Sequence, residues 1–293
     1  TGLKLQFPEL GGFLFVGRTK EGFSTNKMMV GYYGVFSERN AANDAFIPIL
    51  ADGLRWTAVG FGGKLVYNVG VFADPWSEKH SFNKNDWQFV GRAVWLPFAV
   101  PDSGDVLHLA ADARYAAADD GMLQYRSKPE AFLAQSFAVD TGELEASRST
   151  MLGVEAYYHP GPWLLGGEYY VNQVSSMPAD DPLFHGGEIF AAYMITGEKH
   201  PYNGRAGVFL DVTPKRSLVN GGPGAWEIAL RATYVDLDSG TIAGGTFFRV
   251  TPVLNWYVTD VLRFEAMYGY GVLDRFGMSG GAQYFLTRMQ IAL

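Results

Sequence analysis

The final third of the chain alternates apolar and polar side chains with a period of two. Trp226, Ile228, Leu230, Ala232 and Tyr234 fall on one face of a run, and Glu227, Arg231 and Thr233 fall on the other. Successive side chains of a strand point to opposite sides, so one face suits lipid and the other water. The pattern repeats with Val250, Pro252, Leu254 and Trp256 against Arg249, Thr251 and Asn255, and with Leu262, Phe264, Ala266, Tyr268 and Tyr270 against Arg263 and Glu265. A closing run sets Phe285, Thr287, Met289 and Ile291 against Arg288 and Gln290. Sandwich strands average about five or six residues and membrane-spanning strands about nine to eleven, and these runs match the second class. Aromatic residues gather near the run ends (Trp226, Tyr234, Phe248, Trp256, Tyr268, Tyr270, Phe285), as at the two interfaces of a membrane.

Further runs precede these, at residues 3–7, 13–18, 54–61, 64–73, 87–96, 106–115, 152–159, 163–172 and 188–196, with a shorter one at 123–128. Long stretches without period separate some of them, at 19–53, 129–149 and 197–224; the first has enough apolar residues to pack, and we expect it to fold into the lumen. The prediction is an all-β chain: a single-domain, transmembrane, antiparallel up-and-down β-barrel with about fourteen strands visible and long loops folded into the lumen.

Composition agrees. The 293 residues include 36 Gly, 21 Phe and 16 Tyr and no Cys, which excludes disulfides, thiolate nucleophiles and thiolate metal sites. Mean hydropathy is −0.01, and no window approaches an uninterrupted apolar span, so a helical-bundle membrane protein is excluded. The net charge of −7, with no basic run, gives nucleic acid no footing. The chain starts at Thr1 without a leader, so any signal peptide is expected to lie outside this sequence.

The segments Thr196-Gly-Glu-Lys-His-Pro-Tyr-Asn203 and Val212-Thr-Pro-Lys-Arg216 resemble the phosphate-selective porin O and P family of bacterial outer-membrane channels. Gly224-Ala-Trp-Glu227, Asp236-Leu-Asp238, Gly244-Gly245 and Leu254-Asn-Trp-Tyr257 are similar to that family's C-terminal strands, and Tyr125-Arg-Ser-Lys-Pro-Glu130 with Val139-Asp-Thr-Gly142 extends the likeness. In the motif the family has Lys before Pro, whereas here Pro214 precedes Lys215, and Leu293 stands where such barrels commonly end in an aromatic. The resemblance implies a Gram-negative outer-membrane homotrimer of about sixteen-stranded barrels, set among lipid and lipopolysaccharide and passing small anions, phosphate or related oxyanions, by passive diffusion. Its first hairpin matching the family's second, the chain is expected to lack an N-terminal strand pair. No cofactor, metal or enzymatic activity is implied.

A pore needs charge on its inner face. The inward candidates are Arg55, Arg92, Arg114, Arg231, Arg249, Arg263 and Arg288, with Lys27, Arg39, Arg126 and Lys128 from the loops, because rings of Arg or Lys concentrate anions. The same wall arginines could instead be struts, since Asp112, Glu155, Glu168, Glu227 and Glu265 face the same way. Some of the acid is expected on outer loops, at Asp119, Asp120, Asp180 and Asp181. His80, His108, His159, His185 and His200 show no metal spacing; His159 with Ser149 is the nearest approach to a lipase pair, and Asp180 with Asp181 to a Ca²⁺ turn. Two other functions fit the pattern: a general or cation-preferring porin, and a plugged structural barrel that scaffolds partner proteins.

Overall fold

The computed structural model describes residues 1–73, 86–99, 104–118 and 120–292; His80, Asp119 and Leu293 lie outside the described residues. Thirteen long strands form one antiparallel meander in strict chain order. They are β1 (Gly2–Phe7), β2 (Gly12–Thr19), β3 (Ala51–Gly60), β4 (Leu65–Ala73), β5 (Trp87–Ala99), β6 (Val106–Ala117) and β7 (Arg148–His159), then β8 (Trp163–Ser175), β9 (Leu183–Met194), β10 (Ala225–Ser239), β11 (Ile242–Tyr257), β12 (Leu262–Arg275) and β13 (Met278–Ile291). Among the described residues β1 pairs only with β2 and β13 only with β12, so the sheet has two free edges.

The run at 123–128 is not one of these strands. The segment instead makes two short pairings inside its own loop, Leu144 with Leu123 and Asp140 with Arg126. Its Leu123 and Tyr125 are buried against that loop's Val139 and Leu144.

The period-two alternation sets the two faces as expected. Ile189, at 70% exposure, and Leu152, Val154, Ile228, Leu230 and Phe285 point out toward lipid, while Glu155, Glu168, Glu188, Arg231 and Arg249 are buried inside. At one rim Trp226, Trp256 and Phe264 stack with centroids 5.1 and 5.9 Å apart, and both indole N–H groups donate to Pro223 O, as amphipathic rings do at an interface.

Among the described residues the two larger apolar clusters are each built partly from loops. Phe23, Ala41, Ala42 and Phe46 of residues 20–50 meet Leu123, Tyr125 and Val139 of residues 118–147 under Tyr170, Phe184, Val235 and Phe247. Toward the other end Met29, Val35 and Phe36 meet Val208 and Phe209 of residues 195–224 under Val66, Val94, Tyr157 and Leu164. Residues 20–50 carry two short helices, α1 (Thr25–Met28) and α2 (Ala41–Phe46), each capped by a side chain: Ser24 accepts from Lys27 N and Asn40 from Asn43 N.

Strand order fixes where each loop enters. The connections after β1, β3, β7 and β11 are short turns, whereas residues 20–50 and 118–147 follow β2 and β6 and share the opposite end. Residues 195–224 follow β9, so this long connection leaves from the short-turn end and folds inward.

Candidate functional site: a lumen lined by infolded loops

The wall arginines of β10 to β13 grip loop backbone. Arg263 donates to Gly34 O at 2.8 Å and Val35 O at 2.9 Å, Arg288 to Ser37 O at 3.4 Å, Arg231 to Glu38 O at 2.9 Å, and Arg249 to Glu130 O at 2.8 Å. Carbonyl oxygens satisfy guanidinium donors without cancelling their charge. Carboxylates cancel part of it: Glu130 lies 2.8 Å from Arg231 and 3.8 Å from Arg249, and Glu265 lies 3.0 Å from Arg263. On the facing wall Arg92 sits 2.7 Å from Glu155 and Arg114 sits 3.2 Å from Glu21, both as buried ion pairs.

The concentrated positive charge is elsewhere, at the root of residues 20–50. Lys20 Nζ and Arg39 Nη2 both donate to the Met29 carbonyl, the latter at 2.8 Å, so two basic groups share one oxygen. Arg55 Nη1 donates to Lys20 O at 2.6 Å, and its buried Nε has no partner among the described residues. Lys27 is nearly buried and lies 3.5 Å from Asp44. The mutual repulsion is expressed in the lysines: burial, then Arg39, Lys27 and Arg55, push Lys20 down to about 6, and burial with Arg39 outweighs Asp44 and brings Lys27 to about 8. Lys27, Arg39 and Arg55 were candidates from the sequence; Lys20, one residue beyond β2, was not.

Arg126 and Lys128 lie apart from this cluster, on the surface of residues 118–147. Arg126 packs over the Phe137 ring at 4.3 Å, and Lys128 donates to Phe132 O at 2.6 Å. Ser149 and His159 stand at opposite ends of β7, which separates them by far more than hydrogen-bond reach. Asp181 uses a carboxylate oxygen to accept from Ser176 N at 2.8 Å within its turn.

Two loops from opposite ends meet at one point on the wall. Arg92 Nη2 donates to Thr25 Oγ1 and to Gly207 O at 3.2 Å, while His108 Nδ1 and Tyr202 OH lie 2.7 Å apart and His108 Nε2 lies 3.2 Å from Thr25 Oγ1. Thr25 belongs to the first loop; Tyr202 and Gly207 belong to the hairpin of residues 195–224, whose strands pair Tyr202 with Phe209.

Residues 6–275 match the family described as phosphate-selective porin O and P. The chain belongs to that family. It is therefore an outer-membrane β-barrel of a porin family, a channel-forming class rather than an enzyme class. It is 24% identical to Porin O of Pseudomonas aeruginosa over 94% of this chain and 69% of that protein. It is 29% identical to an uncharacterized protein of Caulobacter vibrioides over 82% of this chain, and it spans about half (49%) of that relative's length. The barrel fold is shared with an anion-selective porin of Comamonas acidovorans (TM-score 0.55, 12% identity, 96% of this chain and 75% of that one) and with OprB of Pseudomonas putida (TM-score 0.54, 12% identity, 98% and 71%).

Proposed function

We propose that this barrel lets small anions diffuse passively across the outer membrane, with phosphate or a related oxyanion preferred, and that it works as a homotrimer among lipid and lipopolysaccharide. The observation that carries the reading is the shared Met29 carbonyl: Lys20 and Arg39 converge on one oxygen beside Lys27 and Arg55, with Asp44 as the near acid. Such a cluster is short of negative charge, and a tetrahedral oxyanion supplies it; arginine forks take two oxygens at once and lysine adds a point charge. The arginine column of β10 to β13, held on carbonyls, supplies a positive wall facing it. Membership of a family described as phosphate-selective, and a shared fold with an anion-selective porin of Comamonas acidovorans, support the anion class.

Single-channel recording in planar bilayers tests this. A reversal potential favouring chloride under a salt gradient, with the current blocked by added phosphate, is the expected result. A cation-favouring potential overturns it and leaves a general porin. Light scattering in detergent should give three times the monomer mass.

One observation favours the plugged scaffold as a second reading. Loop side chains join the wall's in both larger apolar clusters, and the cavity beside Arg39, lined by Tyr33, Phe36, Glu188, Phe190 and His200, holds only about 50 Å³. A barrel that inserts but carries no current would establish that reading.

A further inference from the structure

We propose that Glu155, Glu168 and Glu188 are positioning residues that hold residues 24–26 against the wall and thereby set the cation cluster in the pore; the proposal rests on the anion-channel reading above. The three face each other across adjacent strands, Glu155 opposite Glu168 and Glu168 opposite Glu188. All three are buried, and like charges placed directly opposite one another oppose folding unless donors are brought to them.

On the wall itself Arg92 pairs with Glu155 at 2.7 Å and Arg231 with Glu188 at 3.4 Å, and the loop brings the remaining donors. Thr25 N donates to Glu155 at 2.9 Å, Asn26 N to Glu168 at 2.7 Å and Asn26 Nδ2 to Glu188 at 2.6 Å, while Ser24 Oγ donates to Glu168 and Ser24 N reaches Asp112 at 3.3 Å. The wall tyrosines Tyr157 and Tyr170 also donate to Glu168. A carboxylate suits this role because it offers lone pairs only; an amide would aim its own N–H groups at some of these donors.

Ser24 has φ +68°, a conformation that a residue with a Cβ adopts only when its surroundings impose it. Here Asp112, Glu168 and Asn43 hold it from three sides, with Asn43 Nδ2 donating to Ser24 Oγ at 3.0 Å. The clamp also reaches the cations. Asn26 Oδ1 accepts from Arg39 Nη1 at 2.8 Å, and Arg39 in turn shares Met29 O with Lys20. The connection therefore runs from the carboxylate row through Asn26 to Arg39 and Lys20.

The test uses the purified full-length protein in planar bilayers and compares the parent with Asn26→Ala and Glu168→Gln. Asn26→Ala cuts both the link to Arg39 and the amide's bond to Glu188, while every wall side chain stays in place. The expected result is a conductance close to the parent's, a reversal potential nearer zero, and phosphate block weakened on the order of tenfold, the scale of a lost charge-assisted hydrogen bond. Glu168→Gln is expected to raise open-channel conductance and current noise as residues 24–29 leave the wall. Parent-like reversal potential and block in Asn26→Ala, with parent-like noise in Glu168→Gln, would overturn the proposal. If Glu168→Gln fails to assemble, Asn26→Ala decides alone. Should the parent show no anion preference, the channel reading falls, and the clamp stands or falls on the conductance and noise of Glu168→Gln.

Discussion

Lys20 shows what a single residue contributes that its neighbours in sequence do not reveal. It follows Arg18 and Thr19 and precedes Glu21, a pattern that reads as a solvated strand end. Only the fold brings Arg39 and Arg55 beside it. The wall arginines were legible because alternation fixes the face of every strand residue, and Arg55, Arg92, Arg114, Arg231, Arg249 and Arg263 are all buried on the inner side. Lys20 also gives a pH test. Its folded-state value is lowered from the ordinary 10.5 to about 6, so the amine is neutral above that and gains charge as pH falls through it. Anion preference should therefore rise between pH 8 and pH 5, and Lys20→Met should remove the part of the rise near pH 6 while the part near pH 8, carried by Lys27, remains. The stability sign follows from the same shift. The unfolded chain keeps the proton up to about 10.5, so the folded state is penalised increasingly as pH falls toward about 6, and below that the penalty is constant. Thermal scans should show Lys20→Met gaining more stability over the parent at pH 5 than at pH 10.

At the scale of elements, the strands of the wall were legible and the short pairings inside loops were not. Residues 123–128 alternate as a strand does, with Leu123 and Tyr125 against Gln124 and Arg126, but periodicity carries no information about what a short run pairs with. The glycines of β8 and β9 show a packing constraint that alternation also leaves unread. Gly187 faces outward, where any apolar side chain would suit lipid, yet a Cβ there would lie 2.1 Å from Glu168 O and 2.8 Å from Tyr169 Cα, both backbone atoms of the neighbouring strand. Gly187→Ala must push β8 and β9 apart, at the position where Glu168 is held. The expected cost is about 1–3 kcal/mol, the usual range for overpacking. It would appear as a lower temperature for loss of the folded band on unheated gels. Gly91→Ala is the control, because nothing lies within 4 Å of a Cβ at Gly91. A parent-like melting temperature for Gly187→Ala would show that the ladder there has slack.

Across the whole molecule, the end from which a loop enters depends on how many strands precede it. Counting residues 123–128 as a strand puts residues 195–224 at the same end as residues 20–50 and sends residues 129–149 to the other; removing that strand exchanges the two, so residues 195–224 leave from the short-turn end, which faces the periplasm in such barrels. One misassigned run of six residues thus inverted which long connection enters the lumen from the short-turn end. The consequence is a division of labour that can be tested. The first loop carries Lys20, Lys27 and Arg39, whereas the hairpin places Val208 and Phe209 in the inner apolar cluster and touches Arg92 and His108 through Gly207 and Tyr202. Hydrophobic bulk narrows a pore without choosing an ion's sign, and fixed charge does the reverse. Excising residues 203–208 should therefore raise conductance and admit larger polyethylene glycols while the reversal potential keeps its anion-favouring sign. Unchanged conductance would mean that the narrowest point lies within residues 24–39. A reversed sign would mean that the hairpin, through Arg92, holds part of the selective charge in place.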